Sequence, residues 1–324
     1  MPLDARIKVP SFKNVLKIMK SIREEAIVVF DTEGMLVRMV DEDRARMIQV
    51  RIDAEGGFSE FSCDRRYEMA VVLVRMDDIV KALTAKDDLR LRVVDQDDGT
   101  FRFALLSNGM ERGIKLLNMR LMEGQRAPPW PAFDFAFTAT VPAAEVRSFV
   151  KAAAVATDFS ITVEPDATGN GVTWSISDER EPLVWRPTDC EVDSEGHATS
   201  LYNVDKVSSI IAATVGKQQL SIRGGNDTPV EFSWNPHDGI SMTALIAHRS
   251  RKTMNSKPTN YEAAKSLILV GEEVTSASVI DRLIQTGRRE VPSRRQLSAL
   301  MKKDPDFAVI PTRGKGPIVF RRRS

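Results

Sequence analysis

Apolar residues recur at helical spacing at Phe12, Val15, Leu16, Met19 and Ile22, a stripe that predicts an amphipathic helix near the start of the chain. Segments with the period-2 alternation of strands follow at 26–30, 35–40 and 47–52. Thr32-Glu33-Gly34 supplies the turn that joins the first two as a hairpin. A second helix is predicted from Met76, Ile79, Val80 and Leu83, and two further strands at 89–94 and 100–106 flank the turn-forming Asp97-Asp98-Gly99.

The same order then recurs roughly 130 residues on. Val146, Phe149 and Val150 mark a helix with Pro142 near its first turn. Strands around 161–163 and 172–176 come next, with Gly169-Asn170-Gly171 as the turn between them. Val204, Val207, Ile210 and Ile211 mark another helix, and strands at 219–223, 229–234 and 241–247 close the pass. The fold class expected is α+β, an antiparallel duplication of helix, strands, helix, strands. Its halves are expected at 1–117 and 133–249. Between them, 118–132 ends in Arg126-Ala127-Pro128-Pro129-Trp130-Pro131, whose prolines cannot donate to a ladder and so predict an extended connector.

After a polar linker at 250–260, periodicity resumes over 261–324. Tyr261, Ala264, Leu267 and Ile268 predict one helix, Thr275-Ser276 caps a second carrying Val279, Ile280, Leu283 and Ile284, and Ser293 caps a third with Leu297, Leu300 and Met301 inward. A hairpin at 307–310 and 318–321 turns at Arg313-Gly314-Lys315-Gly316. Charge separates this piece from the rest. From Ser250 onward there are 16 Lys/Arg against 7 Asp/Glu, which leaves 30 against 38 for the preceding residues. An acidic body with a basic appendage hints at a nucleic-acid-facing appendage, although basic tails are common on other proteins too.

Inside the acidic body the helices carry basic faces. Lys13, Lys17 and Lys20 lie opposite the first apolar stripe, Lys81 is on the second helix, Arg147 and Lys151 form an i, i+4 pair on the third, and Lys206 and Lys217 flank the fourth. Catalysis is not expected. The sequence has no P-loop, no GxGxxG and no metal-spaced Cys/His cluster, so no cofactor or metal is expected either. Asp41/Asp43 and Asp77/Asp78 read as helix caps and surface charge. Cys63 and Cys190 read as two inert thiols. The charged N-terminus reads against a secretory signal, and the apolar runs at 69–74 and 267–270 are far too short to span a bilayer. An intracellular location is expected: cytoplasm or nucleoid in an archaeon or virus, nucleus in a eukaryote.

At Gly34-Met35-Leu36-Val37-Arg38-Met39-Val40-Asp41 the chain resembles the proliferating cell nuclear antigen family of DNA sliding clamps, archaeal and eukaryotic. Phe61-Ser62-Cys63-Asp64-Arg65 matches that family's strand-end Cys-Asp. Asp227-Thr228-Pro229-Val230 and Leu245-Ile246-Ala247-His248-Arg249 match its late strand and closing motif. The resemblance spans about residues 8 to 249. It implies a processivity factor: a ring of three two-domain subunits that encircles duplex DNA, with helices lining the hole and sheets outside. Lys13, Lys17, Lys20, Lys81, Arg147, Lys151, Lys206 and Lys217 would then face phosphates, which hold without reading sequence. The implied partners are double-stranded DNA, DNA polymerase, a clamp loader and other replication and repair proteins that dock a short peptide beneath the interdomain strap. Positions matching that pocket are Val40, Arg44, Leu121, Pro129, Pro229, Leu245, Ala247 and His248. Three of them depart from the family: His248 stands in place of a proline, Leu245 in place of an aromatic residue and Arg44 in place of a histidine. Subunit edges map near 112–117 and 183–185.

Residues 261–324 resemble a winged helix-turn-helix domain, which implies DNA contact through Arg294, Arg295, Lys302 and Lys303 on the third helix and Arg313 and Lys315 in the wing; a winged helix used for protein docking and a solvated basic tail are the other readings. Two other readings compete with a clamp. One is a transcription regulator in which the body only oligomerises the winged helix. The other is a specialised clamp subunit that assembles with different partner subunits.

Overall fold

The computed structural model describes residues 2–97, 100–166, 169–176, 182–194, 196–214, 218–249, 260–269, 271–286, 291–304, 306–310 and 318–323. The chain divides into two compact units, Met1–Arg249 and Ser250–Ser324. The turn residues Arg313 and Lys315, the lining position Lys217 and most of the 250–260 linker lie outside the described residues.

The larger unit is one module written twice. The first copy runs β1 (Asp4–Lys8), α1 (Val9–Lys20), β2 (Glu25–Asp31), β3 (Gly34–Val40), β4 (Arg46–Asp53), β5 (Glu60–Ser62), β6 (Tyr67–Val72), α2 (Leu73–Lys81), β7 (Asp88–Asp95), β8 (Phe101–Ser107) and β9 (Met110–Ile114). A short connector helix, α3 (Met119–Met122), follows. The second copy runs β10 (Phe137–Pro142), α4 (Ala143–Ala152), β11 (Asp158–Asp166), β12 (Gly169–Ile176), β13 (Leu183–Trp185), β14 (Glu191–Ser194), β15 (Ala198–Asn203), α5 (Val204–Ile211), β16 (Gln219–Gly224), β17 (Val230–His237) and β18 (Ile240–Ile246). Every strand of the first copy has its counterpart nine strands later. The sheet β5-β1-β7-β8-β9 repeats as β14-β10-β16-β17-β18, and β4-β3-β2-β6 repeats as β13-β12-β11-β15.

The two copies share a sheet. β18 pairs antiparallel with β4 from Ile240↔Ile52 to Ile246↔Arg46, which fuses two sheets into one of nine strands, β14-β10-β16-β17-β18-β4-β3-β2-β6. Alternation places Val28, Phe30, Val37, Ile48, Val50, Phe232, Met242 and Ala244 in one continuous core with the apolar stripes of α1, α2, α4 and α5. The seam also depends on a close backbone approach. The β17–β18 turn enters at Gly239 (φ +64°), and its carbonyl accepts from Asp53 N–H at 2.8 Å. A methyl group on Gly239 would fall 2.1 Å from the Gly57 nitrogen.

Several sequence expectations shift by a residue or two. Gly169 and Gly171 belong to β12, because the β11–β12 ladder runs to Asp166↔Gly169. Pro142 is the N-cap of α4 rather than a first-turn residue, and Leu83 lies just past α2. The strands β1, β10 and β15 have no counterpart in the sequence reading. Each is short, and its partners lie far along the chain. Asn108-Gly109 forms the two-residue turn of the β8–β9 hairpin, both residues with positive φ (52° and 75°), a signal legible in the sequence.

The smaller unit contains α6 (Asn260–Ser266), β19 (Glu273–Thr275), α7 (Ser276–Gln285), α8 (Arg294–Lys303), β20 (Phe307–Ile310) and β21 (Val319–Arg322). Its sheet order is β19-β21-β20. Thr275 and Ser293 cap α7 and α8 through reciprocal bonds with Ser278 and Gln296. Ala264, Ile268, Val274, Val279, Leu283, Leu297, Met301 and Phe320 form a core of its own. Asp304 ties α6 to the end of α8: it accepts from Tyr261 Oη at 2.6 Å and from Lys265 Nζ at 2.9 Å. Burial pushes the Asp304 carboxyl up. The bonds from Tyr261, Lys265 and the Asp306 N–H outweigh it and bring the carboxyl down to about 2.

Two outcomes are expected. Gly239→Ala lowers the stability of the larger unit by about 2 kcal/mol or more, since the left-handed φ and the seam clash act together. Gly109→Ala, equally left-handed but with open space around its Cβ, costs about 1 kcal/mol. Urea unfolding of the two variants measures the difference. In the smaller unit, the Asp304 contribution is fully present above pH 3.8 and is lost as pH falls toward 2, because a depressed carboxylate must be protonated on unfolding. Hydrogen exchange of the full chain should show this unit opening in that window, and Asp304→Asn should flatten the pH dependence.

Candidate nucleic-acid interface and docking surface

The four longer helices of the larger unit bury one face and expose the other. On α1, Lys17 is exposed in the middle of the solvent face and Lys13 and Lys20 lie on the flank toward α2. Lys13 Nζ donates to the Leu83 carbonyl at 2.8 Å, just beyond α2. Lys20 pairs with Asp77 of α2, and Lys81 reaches the same Asp77 oxygen at 2.7 Å from one turn on. Asp77 is 8% exposed. Burial pushes its carboxyl up, and the bonds from Lys20 and Lys81 more than reverse this, so it stays below its ordinary value. Asp77 was expected to be surface charge; it is instead the ionic centre of the α1–α2 pair.

The second helix pair repeats the arrangement with different chemistry. Arg147 Nη1 donates to Thr214 Oγ1 at 2.8 Å, which ties α4 to the end of α5. Lys206, held in the first turn of α5 by the Asn203 cap, reaches back into the first module. Its Nζ lies 3.0 Å from Asp41 Oδ2 and 2.5 Å from Asp43 Oδ2. Arg46 joins from β4, 2.9 Å from Asp41 and 2.5 Å from Ser209 Oγ. Asp41 also accepts the Ala45 and Arg46 amides, at 2.8 and 3.0 Å, and is 2% exposed. Burial raises its carboxyl, and the Arg46 and Lys206 bonds outweigh that and lower it. Asp41 is therefore neither a cap nor surface charge but a latch between modules. Lys17 and Lys151 are exposed and form no ion pair among the described residues. Arg75 is a further exposed cation on α2, outside the set expected from the sequence.

The outward face of the nine-stranded sheet carries the second candidate surface. One row of paired positions crosses five strands: Val40, Met47, Leu245, Glu231 and Arg223. Met47, Leu245 and Met122 of α3 are buried yet lie outside the main core. The connector is fastened at both ends. Arg126 lies 2.5 Å from Glu68 of β6, and Trp130 Nε1 donates to Glu231 Oε2 at 3.1 Å. Glu231, 4% exposed, also accepts from Arg223 Nε at 2.9 Å. No local pattern in the sequence marks this acid, because its partners lie in the connector and on another strand. Of the positions expected to form a pocket, Val40 and Leu245 share that row and Pro229 immediately precedes β17. Arg44 is exposed in the β3–β4 loop with φ +56°, Leu121 is 80% exposed on α3, and Pro129 is exposed in the connector. Ala247 follows β18 and donates its N–H to Ala45 at 2.9 Å, with His248 next along.

In the smaller unit Arg294, Arg295, Lys302 and Lys303 are all exposed on α8. Among the described residues no group of three or more His, Cys, Asp and Glu is placed to hold a metal ion, and no helix is long and apolar enough to cross a membrane.

Asp41→Ala is expected to destabilise the larger unit by about 3 kcal/mol, since it strands Arg46 and Lys206 together with two amides. Denaturant unfolding measures the loss, which Lys206→Met in the same background should partly relieve.

With this geometry in hand, the likeness to known proteins is specific. Residues 2–125 match the family described as proliferating cell nuclear antigen, N-terminal domain. The chain is homologous to archaeal proteins named DNA polymerase sliding clamp. It is 23% identical over 249 residues to the one from Methanothrix thermoacetophila, covering 76% of this chain and 98% of the relative. It is 24% identical over 248 residues to the one from Methanopyrus kandleri, covering 74% and 94%. Among solved structures, the clamp of A. fulgidus bound to the C-terminal region of FEN-1 superposes with a TM-score of 0.69 at 20% identity, covering 77% of this chain and 99% of that one. The fold is that of the sliding clamps.

Proposed function

We propose that this chain, a homologue of archaeal DNA polymerase sliding clamps with their fold and a proliferating cell nuclear antigen N-terminal domain, is a clamp subunit that encircles duplex DNA and recruits replication and repair proteins. It acts by topology and docking rather than catalysis. The observation that carries this reading is the arrangement of unpaired edges. Within the chain, β18 pairs with β4. Their counterparts in the other half of each module, β9 and β13, end their sheets with no partner strand among the described residues. Pairing β9 of one subunit with β13 of the next repeats the internal seam. Head-to-tail contacts of that kind close into rings, and the family resemblance supports three subunits.

In such a ring α1, α2, α4 and α5 face the DNA, and Lys13, Lys17, Lys20, Lys81, Arg147, Lys151, Lys206 and Lys217 supply a positive, sequence-blind lining. The row from Val40 to Glu231 under the connector is the docking surface for partner peptides. An archaeal clamp carrying a FEN-1 segment supports that use of the fold. Residues 261–324 are read as a winged helix. The order α6-β19-α7-α8-β20-β21 and the sheet β19-β21-β20 support this. Arg294, Arg295, Lys302 and Lys303 of α8, with Arg313 and Lys315, are the DNA-contacting set.

Retention on nicked circular DNA that is lost on linearisation tests encirclement, and equal retention on both forms rejects it. Edge pairing has its own test. On an edge strand one of any two neighbouring residues points its N–H outward, so Glu111→Pro or Arg112→Pro should remove a donor needed by the next subunit. At least one of the two is expected to remain folded, sediment as a monomer and lose retention on circles.

A further inference from the structure

The lining cations do not stand equally free, and the difference is built by buried carboxylates. Asp77 is almost wholly buried between α1 and α2, yet both Lys20 and Lys81 converge on its Oδ2. The charged residues exposed on α2 are Arg75, Asp78 and Lys81, and Lys81 is the one of them bonded to Asp77. The pattern recurs on α5, where Asp41 and Asp43 hold Lys206. Lys17 on α1 and Lys151 on α4 are exposed and engage no carboxylate among the described residues.

We infer that Asp77 is a charge-restraining residue of the channel, which holds Lys20 and Lys81 away from phosphate and leaves Lys17 as the principal DNA-contacting cation of the first helix pair. The inference rests on the encircling reading and says how tightly the ring grips. A lysine already paired with a carboxylate must give up that partner to reach a phosphate. It releases no net counterion when it does, so it adds little to affinity or to salt dependence. A ring that must slide gains from this. Lys20 and Lys81 keep their places and fasten α1 to α2, while the lining presents fewer strong phosphate contacts than its lysines suggest. The charge of Asp77 is the element that matters. An amide of the same shape would fill the site, keep one hydrogen-bond acceptor and free two cations for the channel.

The test compares full-length wild type with Asp77→Asn, Lys17→Gln and Lys81→Gln on short duplexes whose ends are either open or blocked by streptavidin, across a salt series. Open ends admit a ring; blocked ends leave only binding from outside, including any by the smaller unit. Asp77→Asn is expected to bind the open duplex several-fold more tightly at low salt and to steepen the log–log salt slope by up to about two. Binding to the blocked duplex should not change. Lys17→Gln should weaken open-duplex binding and flatten its slope, and Lys81→Gln should change it far less. If Asp77→Asn fails to assemble, the contrast between the two lysine variants still decides. Equal losses for Lys17→Gln and Lys81→Gln, or an Asp77→Asn variant indistinguishable from wild type on the open duplex, overturn the restraint while leaving encirclement standing. No preference of the wild type for open ends overturns encirclement, and the restraint with it.

Discussion

The antiparallel pairing of β18 with β4 joins two copies of one module into a single nine-stranded sheet, and most other features follow from it. Backbone hydrogen bonds set the register along seven residue pairs, and the pleat then fixes which side chains face inward. Gly239 lets the β17–β18 turn close against 56–57, where a larger residue would hold the strands apart. Across the same junction Lys206 and Ser209 of α5 meet Asp41, Asp43 and Arg46 of the first module. One covalent chain thus satisfies one copy of the seam internally, and the equivalent edges, β9 and β13, have no partner strand among the described residues. Unpaired edges are a liability in a monomer. In the proposed ring they are the means of assembly.

Buried acids govern the electrostatics. An acidic body that is to hold a polyanion has to place its cations on one surface and hold its carboxylates apart from that surface or beneath it. Asp41 and Asp77 are beneath it. Each is desolvated, which alone would favour the neutral acid, and each stays ionised because two cationic side chains bond to it. On the outward face Glu231 has the corresponding place: it is buried under the connector and bonded to Trp130 and Arg223. The structure therefore uses buried acids as fasteners on both faces of the sheet. The cations they fasten are partly withdrawn from other work.

How much of this was legible in the sequence depends on the range of the interaction. The stripe from Phe12 to Ile22, the alternation of 26–30 and 47–52, the caps Thr275 and Ser293, and the basic tail are local patterns. Each shows in the chain because its partners lie within a turn of helix or across a hairpin. The duplication was legible because it repeats such patterns in the same order. The short strands β1, β10 and β15 were not. They are defined by neighbours far along the chain, and five or six residues carry too little periodicity to announce themselves.

The candidate site divides the same way. Which residues are basic, and on which helix face, follows from sequence spacing, because helical geometry fixes it. Which of them remain available is a tertiary matter. Asp77 and Lys81 are an i, i+4 pair that the sequence displays. Lys20, however, reaches Asp77 across 57 positions, and Lys206 reaches Asp41 across 165. By itself the sequence determined the module, its repetition and the sign of its exposed faces, since these need only local geometry and burial. The tertiary structure alone decided which edges stay open and which charges are already paired, because both depend on what the fold brings together from opposite ends of the chain.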